Sequence, residues 1–382
     1  MRKIHILILP VIVLLLTSFT GQTPDPDGVQ RVPTITPELD RSPYTIPLPP
    51  PGSLYHGVFP GRFDGAEDEV SLFELDSYEQ AAGKPAAWVY FSHNWFNDRA
   101  FPQVTVDWIH ERGSIPYIRL MMRNSEDQHK AEKVFTLKSI LEGKFDRDIR
   151  AWCRSAAALD YPILAEYGTE VNGQWFAWNG VWNGGGKRGS YGVSDEPDGP
   201  ERFRDTYRYL IDVCRIEGAG NITWVFHVNN EDHPQESWNR FENYYPGDDY
   251  IDWLAMSVYG AQSPFDDEWP EFGVAFNDAY NRLVDLAPGK PIIVAEFGMT
   301  GYHPKADPAD WTARAFYSLK TEVTKPGSRL VGFSWWNEAW PNNDDPVMDT
   351  NMLIQDNPIL AEVFLREVAD DPLILGRTTD QP

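Results

Sequence analysis

The sequence predicts a single (β/α)8 barrel, and three observations lead to this fold class. Eight short apolar runs alternate with amphipathic helical patterns, which is the element count of an eight-stranded parallel barrel. The runs are almost continuously apolar, as expected for strands that are buried on both faces. No internal repeat and no second segment with a core of its own interrupts the series. The predicted strands are Tyr55–Phe59, Ala87–Phe91, Ile115–Leu120, Pro162–Tyr167, Ile222–Val228, Trp253–Tyr259, Pro291–Phe297 and Leu330–Trp336.

Helical patterns fill the segments between these runs. Apolar residues at steps of three or four form one helical stripe through Phe203, Tyr207, Leu210, Ile211 and Cys214. A doubly wound open sheet is the main alternative, but no glycine-rich phosphate motif follows the first strand, so a nucleotide-binding sheet has no support. The predicted helices include Phe145–Leu159, Arg202–Ile216, Phe272–Leu286, Pro308–Val323 and Pro358–Val368.

The N-terminus has the layout of a secretory signal. Arg2 and Lys3 precede the apolar run Ile4–Leu16, and small polar residues follow it. The alternative is an uncleaved anchor. We expect a secreted or periplasmic protein with no membrane attachment once the signal is removed. The predicted organisation is a signal peptide (1–21), a Pro-rich linker or N-terminal arm (22–51), the barrel domain (52–370) and a C-terminal tail (371–382).

Composition narrows the class of ligand. The 33 Lys and Arg against 57 Asp and Glu give a net charge of −24, which disfavours nucleic acid and anionic membranes and leaves neutral or cationic ligands. The 15 Trp are many, and exposed Trp often forms a platform for sugars. Cys153 and Cys214 fall in consecutive predicted helices, where they either form a disulfide or remain two buried thiols.

Carboxylates occur where two of the predicted strands end. Glu166 lies near the end of strand four and Glu170 in the loop that follows it, and Glu296 lies near the end of strand seven. Because the carboxyl ends of strands carry the chemistry of such barrels, these groups are expected to face one cleft. Strands four and seven lie on opposite sides, so two Glu can stand the ~5–5.5 Å apart that a retaining glycosidase requires. The alternative is that either Glu only pairs with an Arg at the barrel rim.

Aromatic residues surround both strand ends. They lie among Asn and Gly residues, and aromatic plates beside polar side chains suit pyranose rings, which have apolar faces and polar rims. Core packing would explain one or two of these residues but not the whole group. The group consists of Trp175, Phe176, Trp178 and Trp182 after strand four and Trp335, Trp336 and Trp340 around strand eight.

With these motifs, the chain resembles glycoside hydrolase family 26, a family of clan A retaining barrel enzymes, from about Leu54 to Leu365. The resemblance implies that Glu170 is the general acid/base and Glu296 the nucleophile. It further implies that Tyr259 hydrogen-bonds the nucleophile and lowers its pKa, that Trp336 forms the floor of the sugar site, and that Trp175 lines its wall. The segments that carry the resemblance are 170–176 (EVNGQWF), 244–253 (YYPGDDYIDW), 296–298 (EFG) and 335–336 (WW).

One position departs from the family pattern. The residue before the acid/base is usually His, and here it is Thr169, which leaves the specificity open. The resemblance implies a retaining endo-β-glycanase, most often an endo-β-1,4-mannanase. The alternatives are a mixed-linkage β-glucanase (lichenase), a β-1,3-xylanase and a non-catalytic glycan-binding barrel; endo or exo action also stays open.

Further residues are candidates for binding the sugar. Arg119 at the end of strand three, His93 near the end of strand two, Asn229 after strand five and Trp178 are predicted to line the cleft. No metal-ligand spacing occurs in the sequence, and hydrolysis by two carboxylates needs no metal, so we expect neither metal nor cofactor. The expected partner is a polysaccharide or oligosaccharide, bound by a monomer.

Overall fold

The computed structural model describes residues 45–63, 65, 67–342 and 345–377. The predicted signal peptide and most of the predicted linker lie outside the described residues. The part of the linker that is described follows the barrel surface: Ile46 is buried, and the Pro47 carbonyl accepts a hydrogen bond from the Tyr55 hydroxyl. These contacts concern residues 45–51 only, and the choice between linker and arm for residues 22–44 stays a prediction.

Eight parallel strands form a closed barrel, because the eighth strand pairs with the first as well as with the seventh. Every predicted strand overlaps an observed one, so the predicted fold class is confirmed. The strands are β1 (Leu54–Pro60), β2 (Trp88–Asn94), β3 (Ile115–Met121), β4 (Ile163–Tyr167), β5 (Ile222–Asn229), β6 (Trp253–Tyr259), β7 (Ile292–Gly298) and β8 (Leu330–Asn337).

Helices follow the strands around the barrel. The five predicted helices correspond to the last five observed, and α5 begins at Asp198 rather than Arg202. The sequence contains capping signals for α1: Ser71 accepts a hydrogen bond from the Glu74 N–H, and Gly83 ends the helix with a φ of 71°. The helices are α1 (Leu72–Ala82), α2 (Gln103–Glu111), α3 (Leu137–Leu141), α4 (Asp146–Ala157), α5 (Asp198–Ile216), α6 (Phe272–Leu286), α7 (Pro308–Val323) and α8 (Pro358–Phe364).

A tryptophan fills the amino-terminal half of the barrel. The Trp88 indole is fully buried and donates a hydrogen bond to the Ser334 hydroxyl at 2.7 Å. Glycines on the neighbouring strands make room for it: a Cβ would lie 2.0 Å from the indole nitrogen if placed on Gly57, and 2.3 Å from the indole ring if placed on Gly332. The barrel is therefore packed at this end, and its open space lies at the carboxyl ends of the strands.

Three short strands lie outside the eight of the barrel: β9 (Ala339–Trp340) and β10 (Thr350–Asn351), which pair antiparallel, and β11 (Ile374–Leu375), which pairs parallel to β1. The pairing of β11 corrects the predicted domain end at residue 370, because residues beyond it belong to the sheet.

No helix among the described residues has the length and apolar character needed to cross a bilayer.

A disulfide joins two of the helices. Cys153 on α4 and Cys214 on α5 are bonded, which resolves the alternative that the sequence left open. The bond closes a loop with a sequence separation of 61 residues, and both sulfurs are buried beside Trp152 and Trp224.

We expect the double substitution Cys153→Ala with Cys214→Ala to lower the free energy of unfolding by about 2–4 kcal/mol, because the closed loop restricts the unfolded chain. Urea denaturation of the oxidised protein and the variant measures the difference. The wild type under reducing conditions provides the control and should match the variant. Equal stability of the oxidised wild type and the variant would contradict this role for the bond.

Candidate active site

An open cavity of about 920 Å³ occupies the carboxyl ends of the strands. Glu170 and Glu296 both line it, as do Trp175, Tyr259 and Trp336. Arg119 and Asn229 also line it, so seven of the nine residues predicted for the site meet in one cavity.

Glu296 enters the cavity from the end of β7. The pairing of β6 with β7 shifts register just before it: Met256 pairs with Val294, and Ser257 pairs with Glu296. Such a bulge re-aims the side chain that follows it. The Glu296 carboxylate accepts a hydrogen bond from the Tyr259 hydroxyl at 3.0 Å, and the Tyr90 hydroxyl oxygen lies 3.1 Å from Glu296 Oε1. Arg119 Nε lies 3.6 Å from Glu296 Oε1, so three strands hold this carboxylate.

Burial raises the pKa of Glu296 to about 7, although the positive charge of Arg119 opposes the rise. The neighbouring Glu170 adds to it by charge repulsion. The sequence predicted that Tyr259 would lower this pKa. The Tyr259 hydroxyl is in place for that hydrogen bond, and its effect on the pKa stays a prediction; the net rise follows from burial of the carboxyl.

Glu170 reaches the cavity from a tight turn after β4. Its backbone is in the left-handed region with a φ of 47°, which a residue with a side chain rarely adopts. The turn is closed by a hydrogen bond from the Gly173 N–H to the Glu170 carbonyl at 2.7 Å. The Trp175 indole donates to Glu170 Oε2 at 2.7 Å. Gly173 lets this indole approach, since a Cβ there would lie 2.3 Å from the ring.

An aromatic floor and a cation lie beside Glu296. The Trp336 ring stacks on Phe59 with centroids 3.9 Å apart, and its indole N–H donates to Glu338 at 3.0 Å. The Arg119 guanidinium lies 5.2 Å from the Trp336 ring centroid. Arg119 also donates to Glu67 at 2.9 Å, and these contacts fix its charge near the reacting carboxylates.

A second buried carboxylate lies in the barrel interior, outside the residues that line the cavity. Glu166 on β4 accepts hydrogen bonds from the Tyr90 and Tyr117 hydroxyls, both at 2.5 Å, and lies 3.1 Å from His227 Nδ1. Although burial acts to raise the pKa of Glu166, the His227 charge holds it below its ordinary value. Glu166 in turn raises the pKa of His227 against the effect of burial, so the two form an ion pair.

Thr169 belongs to this interior group. Its hydroxyl lies 2.9 Å from His227 Nδ1, and the residue does not line the cavity. The hydroxyl at the position that departs from the family pattern therefore contacts the imidazole of the interior His227.

Asn229 lines the cavity beside loops that are held by a buried amide. Asn172 donates hydrogen bonds to the carbonyls of Asn229 and Glu231 at 3.0 Å, and its own oxygen accepts from the Asn229 N–H at 2.8 Å. These bonds tie the loop after β4 to the loop after β5, which places Asn229 at the cavity.

Two of the predicted binding residues lie outside the cavity. His93 is on the outward face of β2, because Tyr90 and Ser92 take the inward positions, and it accepts a hydrogen bond from Trp152 on α4 at 3.3 Å. Trp178 is buried behind the wall, where it stacks on Phe176. Both predictions are corrected: these residues support the site from behind.

Other cavity residues were not found from the sequence. Trp269, in the loop after β6, is one of them, whereas Trp340, after β8, belongs to the aromatic group that the sequence analysis singled out. Glu67 lies in the loop after β1, where no sequence motif marked it, and only the structure shows its contact with Arg119. Glu166 did give a signal, since a carboxylate at an inward position of an apolar strand needs interior partners.

The cavity is strongly acidic. Its described lining includes seven carboxylate side chains, and Arg119 is the one Lys or Arg among those residues. Within the part of the chain that the structure describes, no group of three or more His, Cys, Asp or Glu is placed to hold a metal ion. The absence of a catalytic metal stays a prediction. The carboxylates are Glu67, Glu170, Glu231, Asp266, Glu268, Glu296 and Glu338.

The substitution Glu296→Gln should stabilise the protein above pH 7 and leave its stability unchanged near pH 4.5. Between these values the folded protein holds a proton on Glu296 that the unfolded chain releases, so stability falls as pH rises through about 7. The gain at pH 8 should be about 3 kcal/mol, from urea denaturation at both pH values.

The exposed Glu231, at the cavity rim, provides the matched control as Glu231→Gln. This variant should show no such dependence on pH. If the gain of Glu296→Gln were the same at pH 4.5 and pH 8, the raised pKa of Glu296 would be wrong.

Comparison with known proteins identifies distant relatives. The chain is 25% identical to Endoglucanase H of Acetivibrio thermocellus over 301 residues, which cover 77% of this chain and 30% of that protein. It is 27% identical to mannan endo-1,4-beta-mannosidase A and B of Caldalkalibacillus mannanilyticus over 186 residues, 47% of this chain and 29% of that protein. The chain thus spans under a third of the length of these relatives.

A structural superposition and a family model point to the same family as these relatives. The structure superposes on a mannanase from Bacillus subtilis with a TM-score of 0.56 at 15% identity, covering 87% of this chain and 89% of that one. The family model of Glycosyl hydrolase family 26 matches residues 137–299, which include both Glu170 and Glu296. With the barrel, the two carboxylates in one cavity and this match, the chain belongs to glycoside hydrolase family 26.

Proposed function

We propose that this glycoside hydrolase is a retaining endo-β-glycanase that works by double displacement, with Glu170 as the acid/base and Glu296 as the nucleophile. The observation that carries the proposal is the pair of carboxylates facing one cavity from β7 and from the turn after β4. Their surroundings differ, as two different roles require: Glu296 is held by a phenol and beside a guanidinium, and Glu170 by an indole.

In the first step, a Glu296 oxygen attacks the anomeric carbon and forms an ester with the sugar. The bond from this carbon to the leaving oxygen breaks, and that oxygen takes the proton of Glu170. Arg119 and Tyr259 hold Glu296 in place by the contacts described above. Trp336 offers its ring to the apolar face of the sugar.

In the second step, Glu170 acts as a base. It takes a proton from water, the water oxygen attacks the anomeric carbon, and the ester bond to Glu296 breaks. Both carboxyl groups return to their first state, and the product keeps the β configuration. No other reactant is needed.

The charge of the cavity favours a neutral glycan. Seven lining carboxylates against one Arg repel uronic acids and sulfated sugars. Several tryptophans line the cavity besides Trp336, namely Trp175, Trp269 and Trp340, and such a series of rings suits several sugar units of a chain and hence endo action. β-1,4-Mannan is the first candidate substrate, as the family resemblance implies.

Mixed-linkage β-glucan is the second candidate. The relative named Endoglucanase H aligns with 77% of this chain, and the mannosidase aligns with 47%. Thr169 also departs from the family pattern at the residue before the acid/base.

We further propose that the protein is exported, on the basis of the predicted signal over residues 1–21.

Reducing-sugar release from mannan, glucomannan, mixed-linkage β-glucan, β-1,3-xylan and β-1,4-xylan tests the proposal. We expect cleavage of mannan or of mixed-linkage β-glucan, and a loss of more than about 1,000-fold for Glu170→Ala and for Glu296→Ala, because each removes a group that moves a proton or forms a bond. Glu231→Ala, at the cavity rim, is the matched control and should retain most activity.

Proton NMR of the first products distinguishes the mechanisms. The β anomer should form first, and an α anomer at that carbon would contradict double displacement. Binding of oligosaccharides without any new reducing ends would instead support the non-catalytic glycan-binding barrel.

The activity should fall on the acid side of about pH 7. Because the nucleophile must be ionised and burial raises the pKa of Glu296 to about 7, kcat/KM is expected to drop about tenfold for each pH unit below that value. Initial rates between pH 4 and pH 9 measure this acid limb. An acid limb with its midpoint below pH 5 would contradict the raised pKa of Glu296.

A further inference from the structure

The Tyr90 hydroxyl lies between two buried carboxylates, those of Glu166 and Glu296. Tyr90 is fully buried, and its oxygen is 2.5 Å from Glu166 Oε1 and 3.1 Å from Glu296 Oε1. A phenol has one proton and therefore donates to one of these oxygens at a time. If Tyr90 donates to Glu296, it stabilises the ionised form of Glu296. If Tyr90 donates to Glu166, its oxygen faces Glu296 and destabilises that form.

The distances and the charges favour Glu166. Its contact with Tyr90 is 0.6 Å shorter (3.1 − 2.5) than that of Glu296. Glu166 is paired with His227, whose other ring nitrogen, Nε2, lies 2.8 Å from the Ser257 hydroxyl, so a permanent anion faces Tyr90 on that side. Burial raises the pKa of Tyr90 well above its ordinary value, and its proton stays on the phenol.

We propose that Tyr90 is a positioning residue through which Glu166 controls the protonation of Glu296. Glu166 holds the Tyr90 proton, and the phenol then turns its lone pairs toward Glu296. A protonated Glu296 can donate to that oxygen, and an ionised Glu296 is repelled by it. The interior of the barrel thereby shifts Glu296 toward its protonated form and sets the lowest pH at which it is ionised.

Other groups around Glu296 act on the same equilibrium. Arg119 and His227 favour its ionised form, and Glu166 and Glu170 favour its protonated form by charge. Tyr259 donates a hydrogen bond to the other oxygen, Oε2. By strand, these groups are Tyr90 on β2, Arg119 on β3, Glu166 on β4 with Glu170 after it, His227 on β5 and Tyr259 on β6.

The chain supplies a matched pair of tyrosines for the test. The Tyr90 and Tyr117 rings pack with centroids 4.3 Å apart, and both hydroxyls donate to Glu166 at 2.5 Å. Of the two, Tyr90 is the one bonded to Glu296. Tyr90→Phe should move the midpoint for ionising Glu296 to lower pH by at least about half a pH unit. Tyr117→Phe should move it to higher pH, because Glu166 loses a donor and holds the Tyr90 proton more strongly.

The readout is independent of catalysis. Infrared titration follows the carboxyl band of Glu296, which is identified by subtracting the spectrum of Glu296→Gln. The same variants are assayed for the acid limb of kcat/KM, and this second arm rests on the proposed function. If the infrared midpoints move as expected and no glycan is cleaved, the proposed function fails and this inference stands.

An unchanged or higher midpoint in Tyr90→Phe would overturn the proposal, because Tyr90 would then be an ordinary donor to Glu296. A midpoint that falls equally in both variants would also overturn it, since this would show a general effect of disturbing the interior. If Tyr90→Phe does not fold, Tyr117→Phe decides alone: a higher midpoint supports the proposal, and an unchanged or lower one overturns it.

Discussion

Carboxylates enter the upper interior of this barrel, and burying an ionised carboxylate without partners costs several kcal/mol. The structure meets this constraint strand by strand. Glu67 is bonded to Arg119, Glu166 to His227 and two tyrosines, and Glu296 to tyrosines beside Arg119. Because every partner comes from another strand or loop, the charges lock the register of the barrel as well as the geometry of the cavity. Structure and chemistry here depend on the same contacts.

The two ends of the barrel are stabilised in different ways. Trp88, seated against Gly57 and Gly332, closes the amino-terminal half with apolar packing that requires no charge. Above it lies the layer of Glu166, His227 and the tyrosines, and above that the acidic cavity. Polarity therefore increases along the barrel axis. The cavity carboxylates rest on a rigid interior, which limits how far they can relax when a neighbour changes charge.

The sequence predicts most of this fold because its strands are buried on both faces and read as apolar runs, so all eight were located. It also places Glu170 and Glu296, since carboxylates at strand ends stand out against such runs. It fails where the decisive contact joins distant segments. His93 was predicted to line the cleft because the inward positions of β2 were not known, and no sequence pattern marked Glu67 as a partner of Arg119. The net effect of burial on Glu296 likewise depends on packing that no local pattern encodes.

The two central carboxylates are mounted on different supports. Glu296 is part of a strand whose neighbours are fixed on both sides, whereas Glu170 sits in a left-handed turn closed by Gly173 and braced by Trp175. Substitutions at Gly173 or Trp175 would therefore reposition Glu170 and leave Glu296 in place. Evolution or design can therefore change the position of Glu170, and with it the leaving group that the site accepts, through this turn. The strand that carries Glu296 is not altered by such a change.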